Sequence, residues 1–264
     1  MLTESQVRRY RDDGYVIVPA LLSAEETGLL AEIARLDAHL ASTMRHRRDA
    51  QGGTALLALD NELRDDIYSA IVRSSRLAGA MGQLLEDEPY HYHHKVSAKQ
   101  PYEGGAWEWH QDYGYWYNNG CLFPRMSSCY IAIDPATREN GCMQLIRGSH
   151  HMGRVDHGKT GDQTGADMER VTEALKRLEL VYAEMGPGDA LFFHCNTLHR
   201  SDQNRSPNPR WGLICCYNAR SNDPYKPGPH PGYHKLEVWP DSCVLEAGRR
   251  QLAALKAEAS GQGA

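Results

Sequence analysis

The chain has 264 residues, a net charge of -5 and 41% hydrophobic residues, the profile of a globular protein large enough to bury a real core. It carries no basic stripe for nucleic acid and no apolar run near the ~20 residues that a membrane span needs, and Met1 is followed by no secretory apolar segment. Seven cysteines without a C-x-x-C pair argue against a disulfide framework and for reduced thiols in a cytoplasm.

Thr3 and Gln6 form a capping box, which predicts a short helix stopping at Gly14. Residues 15–18 read as a strand closed by Pro19. Ser23 and Glu26 form a second capping box, and Leu29, Leu30, Ile33, Leu36 and Leu40 follow at helical spacing. Together they predict one amphipathic helix over about 24–41. Residues 45–53 read as a loop in which Arg45, His46, Arg47 and Arg48 are a solvated helix end. Helical periodicity returns over about 63–85, with Ile67, Ile71 and Leu84 on its apolar side. The N-terminal third is therefore expected to be mainly helical.

From Pro89 short strands alternate with Gly, Pro and Asn turns. They are predicted over 90–98, 128–134, 143–146, 180–185, 190–194 and 211–218. Strands without long intervening helices predict an antiparallel barrel or jelly roll rather than a doubly wound sheet. Residues 153–170, rich in Gly, Asp and Thr, predict a mobile loop. Residues 247–259 predict a short surface helix before a frayed Gly-Gln-Gly-Ala tail. The chain reads as one domain, with residues 1–88 as mainly helical support, 89–220 as barrel core and 221–264 as a C-terminal loop and helix.

The chemistry begins at Trp107-Glu108-Trp109-His110-Gln111-Asp112-Tyr113. In an extended segment His110 and Asp112 share a face and can supply two ligands to one metal. A second histidine would complete the 2-His-1-carboxylate set of non-haem Fe(II) oxygenases. His194, at the end of an apolar strand, and His199, in the turn beyond it, both qualify, and spacing alone does not separate them. Arg210 stands eleven residues after His199 at the start of the next strand, where its fork would match a carboxylate.

These pieces resemble the phytanoyl-CoA dioxygenase family of Fe(II)/2-oxoglutarate-dependent oxygenases. The matching motifs are residues 13–19, His110-Gln111-Asp112, Asn140-Gly141-Cys142-Met143 followed by Gly148-Ser149-His150, Gly188-Asp189 leading to His199-Arg200-Ser201, and the stretch from Asn204 to Arg210. The resemblance spans about residues 10–240. It implies a double-stranded β-helix, a jelly-roll barrel, with N-terminal helices outside it. It implies Fe(II) on His110, Asp112 and His199, and 2-oxoglutarate held through its distal carboxylate by Arg210 and Ser201. It also places Tyr130 and Lys95 beside the cosubstrate and makes His194 a residue of the barrel interior or one that supports the ligands. The aromatic segment around the metal motif would face the substrate, with Trp107, Tyr113 and Trp116 as candidates.

The implied activity uses dioxygen. It couples decarboxylation of 2-oxoglutarate to succinate and CO2 with oxidation, foremost hydroxylation, of an unactivated C–H in a small-molecule metabolite. Desaturation, epimerisation and cyclisation are alternative endings of the same chemistry, and a non-catalytic metal- or ligand-binding barrel is the competing class. Asp112 argues against halogenation, where a small residue replaces the carboxylate. No side-chain general base is needed. No nucleic acid, membrane or obligate protein partner is expected. His91, His93 and His94 read as polar positions of a barrel strand rather than a zinc site, and His150 and His151 as loop residues. Residues 224–234 read as an irregular surface loop, or as a lid that could bring Lys226 or His230 to the pocket.

Overall fold

The computed structural model describes residues 1–261. The first capping box forms as expected. Thr3 Oγ1 accepts the Gln6 N–H at 3.3 Å and Gln6 Oε1 accepts the Thr3 N–H at 2.8 Å. Helix α1 (Glu4–Asp13) ends where Gly14 takes a left-handed φ of 82°. Strand β1 (Tyr15–Val18) leads to α2 (Ala24–Leu36), capped by Ser23, and then to α3 (Ala38–Thr43). The single helix expected over 24–41 is divided because Asp37 leaves the helical region at ψ 98° and caps α3, accepting the Leu40 N–H at 2.9 Å.

Residues 45–60 correct the loop expectation. Strands β2 (Arg45–Arg48) and β3 (Thr54–Asp60) form an antiparallel hairpin whose turn is tied by Asp49, which accepts from Gly53 N at 2.7 Å. An Arg-rich strand at a sheet edge has the composition of a solvated loop, which hides it in the sequence. The helical stretch that follows is again two helices, α4 (Ile67–Arg73) and α5 (Ser75–Leu85), separated by the extended Ser74.

Strand β4 (Pro89–Lys99) is followed by β5 (Trp107–His110), the single turn α6 (Tyr113–Trp116), β6 (Met126–Ala132) and β7 (Met143–Ile146). The expected mobile loop at 153–170 is instead a second hairpin, β8 (His157–Thr160) with β9 (Gln163–Ala166), running into α7 (Met168–Leu175). The chain then forms β10 (Leu180–Ala183), β11 (Ala190–His194), β12 (His199–Ser201), β13 (Arg210–Ala219) and α8 (Cys243–Ala259). Of the expected tail, Gln262 to Ala264 lie outside the described residues. No helix among the described residues is long and apolar enough to cross a membrane.

Two antiparallel sheets face each other without closing into a continuous barrel. The larger has seven strands in the order β1-β11-β6-β13-β4-β3-β2, and the smaller has four, β10-β7-β12-β5. The jelly-roll expectation holds, but three strands from the first 88 residues belong to the large sheet, so that segment is more than helical support. Alternation sorts the large sheet. Val96, Cys129, Ile131, Phe192, Leu213 and Cys215 pack outward into one core with Leu30, Ile33, Ile71, Leu77 and Met81 of the helices. The alternate residues, including His93, Lys95, Tyr130, Phe193 and Ile214, face the small sheet and line a cavity of about 290 Å³.

Candidate metal and cosubstrate site

His110 is the last residue of β5, and His199 opens β12 directly across the ladder from it, with ring centroids 4.1 Å apart. Each imidazole is oriented by its own backbone. His110 Nδ1–H donates to Glu108 O at 2.7 Å and His199 Nδ1–H donates to Thr197 O at 2.9 Å. A carbonyl only accepts, so both Nε2 atoms are left unprotonated for a metal. Burial and the neighbouring His199 push His110 down to about 3, and burial lowers His199, so both rings are neutral, the form that ligates.

Asp112 joins them by a route that differs from the expected one. Strand β5 ends at His110 and Asp112 has φ -56° and ψ -40°, so the chain turns into α6 instead of continuing extended. The ligand atoms of His110, Asp112 and His199 all lie within 4.8 Å of one another. Asp112 Oδ2 accepts from Ser128 Oγ at 2.9 Å and Oδ1 accepts from Tyr115 O–H at 3.2 Å. Burial disfavours its charge, but Lys95, His199 and His110 outweigh that and hold its carboxyl below the ordinary value. Between the two ligands Gln111 is fully buried. Its Nε2 donates to Gly153 O at 2.8 Å and Asn196 O at 2.7 Å, its Oε1 accepts from Val155 N at 2.7 Å, and its own N–H donates to His157 Nε2 at 2.8 Å. This residue ties the metal segment to two loops and the β8–β9 hairpin. A glutamine flanked by stronger candidates carries no sequence signal of that role.

Arg210 opens β13 and is 2% exposed. Its Nε and Nη1, Ser201 Oγ and Tyr130 Oη are buried without a hydrogen-bond partner among the described residues. Four orphaned donors around one cavity are rare in a native protein and call for an absent acceptor. Their set, a guanidinium fork and two hydroxyls, suits a carboxylate. The guanidinium lies 5.5 Å from the Tyr130 ring centroid. Gly212 makes room for that ring, since a Cβ there would stand 2.3 Å from it. The lysine beside Arg210 in the ladder is Lys99, whose Nζ donates to Ser201 O at 3.4 Å and to Asp202 O.

Lys95 lines the cavity from the row of Ile214 and Tyr130, with Asp112 among the charges acting on it. Trp107 and Trp116 also line it. Tyr113 does not. It is 3% exposed and donates to Cys121 O at 3.1 Å in the packing behind the site, while Tyr115 takes the place beside Asp112. His194 is also displaced from its expected role. Phe193 fills the inward position, so His194 faces outward and packs on Tyr10 and His150. His91 and His94 bond to each other at 3.1 Å, whereas His93 faces the cavity. The irregular 224–234 segment contributes His230 to the cavity, and Lys226 lies elsewhere, against Gly120.

A model of the family described as phytanoyl-CoA dioxygenase matches residues 10–212. The L-proline trans-4-hydroxylase of Streptomyces griseoviridis is 31% identical over 242 residues, covering 83% of this chain and 87% of that protein. The ectoine dioxygenase of Bordetella bronchiseptica is 29% identical over 253 residues, covering 87% and 80%. The crystal structure of EctD from S. alaskensis with 2-oxoglutarate and 5-hydroxyectoine superposes with a TM-score of 0.77 at 24% identity, covering 91% of this chain and 89% of that one, and so shares its fold. The chain belongs to the phytanoyl-CoA dioxygenase family and is a non-haem iron, 2-oxoglutarate-dependent dioxygenase.

Proposed function

We propose that His110 Nε2, Asp112 and His199 Nε2 hold the Fe(II), that Arg210, Ser201 and Tyr130 hold the distal carboxylate of 2-oxoglutarate, and that the enzyme hydroxylates an unactivated C–H of a small-molecule metabolite. The observation that carries this reading is one cavity with two convergent sets of groups, three metal-ligand atoms within 4.8 Å and four unpartnered donors around Arg210. A ligand set on one face leaves the opposite coordination positions open to cosubstrate and oxygen. When bound, iron and 2-oxoglutarate would activate dioxygen, which is the oxidant for both the cosubstrate and the C–H, with succinate and CO2 as coproducts.

The residues of this chain position and insulate. Ser128 and Tyr115 fix the two carboxylate oxygens of Asp112, leaving it one orientation toward the histidine pair. Arg210 supplies a permanent charge on a side chain that is 2% exposed, and its bonds to a carboxylate would be charge-assisted. Trp107, Trp116 and Phe193 form the apolar walls against which a substrate C–H would rest. The named relatives act on L-proline and ectoine, both small molecules, which supports a small-molecule substrate here. We further read residues 1–264 as one catalytic unit that needs no protein partner. A cytoplasmic setting is supported by seven free cysteines, six of them buried.

The test is succinate formation from 2-oxoglutarate with added Fe(II) in air. Production that depends on iron and oxygen is expected from the wild type, and its absence with active iron would leave a binding protein instead.

A further inference from the structure

The cavity holds a second set of polar groups, His93 and Lys95, that the iron ligands and the anchor for the distal carboxylate do not use. We propose that His93 and Lys95 form a subsite for a carboxylate of the primary substrate, which is therefore a small organic acid. This rests on the oxygenase reading above and names the substrate class for the same site.

His93 is 1% exposed and lines the cavity, and neither of its ring nitrogens has a hydrogen-bond partner among the described residues. It cannot swing away to find one. Trp116 packs against it at 5.6 Å and 73°, and His230 lies over it at 4.4 Å between centroids. A buried polar group left unpaired costs about 1–3 kcal/mol, so its partner is a molecule that enters the cavity. Burial keeps the ring neutral, and a neutral imidazole always retains one N–H to donate.

Lys95 stands two residues on, facing the same way, and makes no hydrogen bond or ion pair among the described residues. The nearby carboxylate is Asp112, which is already committed to the metal set. A lysine inside a cavity with its counter-charge spent elsewhere favours an anionic guest. That guest is not the distal end of 2-oxoglutarate. In β13, Lys95 is paired with Ile214, four residues from Arg210, roughly 13 Å along the strand. Tyr130, in the same row, leans over Gly212 toward Arg210 instead.

The cavity thus has two anion-seeking ends with the metal set between the sheets, one at Arg210 and one at His93 and Lys95. Arg47, which makes no ion pair among the described residues, and Asp162 of the β8–β9 turn also line the cavity. Trp107 and Trp116 wall the space between, so the acid carries an apolar body.

The test uses the Fe(II)-loaded full chain with 2-oxoglutarate under nitrogen, read by tryptophan fluorescence, since Trp107 and Trp116 line the cavity. The probes are matched pairs of small cyclic and branched carboxylic acids and their primary amides, beginning with L-proline and prolinamide. At least one acid is expected to bind, about tenfold or more tighter than its amide, a preference worth about 1.4 kcal/mol. Lys95→Met and His93→Leu should each erase most of that preference, Lys95→Arg and His93→Gln should keep it, and 2-oxoglutarate affinity should change less than twofold in the two His93 variants. Amides binding as well as acids, no acid binding, or His93→Leu weakening 2-oxoglutarate as much as the acid would each overturn the inference. Succinate formed by the same wild-type sample in air separates the readings, because succinate without acid preference fails this inference alone and no succinate fails the oxygenase assignment.

Discussion

Ser128, on the large sheet, donates its hydroxyl at 2.9 Å to Oδ2 of Asp112, two residues beyond the end of β5 in the small sheet. One ligand of the metal set is therefore held from across the cavity, and the site depends on how the two sheets are spaced. Asp112→Ala and His199→Ala should each abolish succinate formation. Ser128→Ala and Tyr115→Phe leave the ligands in place and free only their orientation, so apparent Fe(II) affinity should fall about 10–100-fold. Titrating Fe(II) against succinate production, with Co(II) absorbance as an independent binding readout, checks both. Unchanged affinity in the Ser128 variant would mean that the spacing of the sheets, not this bond, fixes the carboxylate.

Arg210→Ala removes the fork proposed for the distal carboxylate but touches no metal ligand. The KM for 2-oxoglutarate should rise about 10–100-fold, the range for losing charge-assisted bonds, with a smaller loss in kcat at saturating cosubstrate. Steady-state kinetics in 2-oxoglutarate would show the split. A fall in kcat with KM unmoved would place the cosubstrate elsewhere.

Gly212→Ala tests the space under Tyr130. The new methyl would sit 2.3 Å from the ring, which is 1% exposed and has nowhere inexpensive to go. We expect a destabilisation of about 1–3 kcal/mol from overpacking and a weaker grip on 2-oxoglutarate, while Tyr130→Phe should disturb stability less. Thermal melts and cosubstrate titrations of the two variants give the comparison.

Glu26 gives a pH prediction far from the iron. It is 4% exposed, accepts the Ser23 N–H at 2.8 Å and receives Arg76 Nη1 at 3.0 Å. Burial alone would raise its carboxyl, but Arg76 and the Ser23 backbone hold it below the ordinary value. An acid with a lowered folded pKa stabilises above its unfolded value, near 4, and that contribution is lost as pH falls through the folded value. Glu26→Gln should therefore cost about 1–3 kcal/mol at pH 7, and its gap from the wild type should close below about pH 4. Denaturant melts at several pH values measure the gap directly.

Much of the fold and site was legible before any coordinates because it rests on local chemistry. The Thr3 and Ser23 capping boxes, the stop at Gly14 and the apolar alternation of 190–194 need only neighbours in the chain. His110 and Asp112 stand out by their spacing and Arg210 by its place after the histidines, while the choice of His199 over His194 came from the resemblance to the family. By itself, then, the sequence determined the class of fold and the iron and 2-oxoglutarate chemistry.

Only the tertiary structure decided what depends on distant partners. Residues 45–48 became a strand because β3 offered them a free edge, and residues 157–166 became a hairpin seated beside the metal segment. Tyr113 and Tyr115 are equivalent by composition, and the direction of one helical turn sent Tyr115 to Asp112 and Tyr113 into packing. His93 read as one more polar strand position and His194 as a candidate ligand, until the register put the first inside the cavity and the second against Tyr10. A strand shows its two faces to the reader of a sequence, but which face looks into the site is fixed by hydrogen bonds to strands far away along the chain.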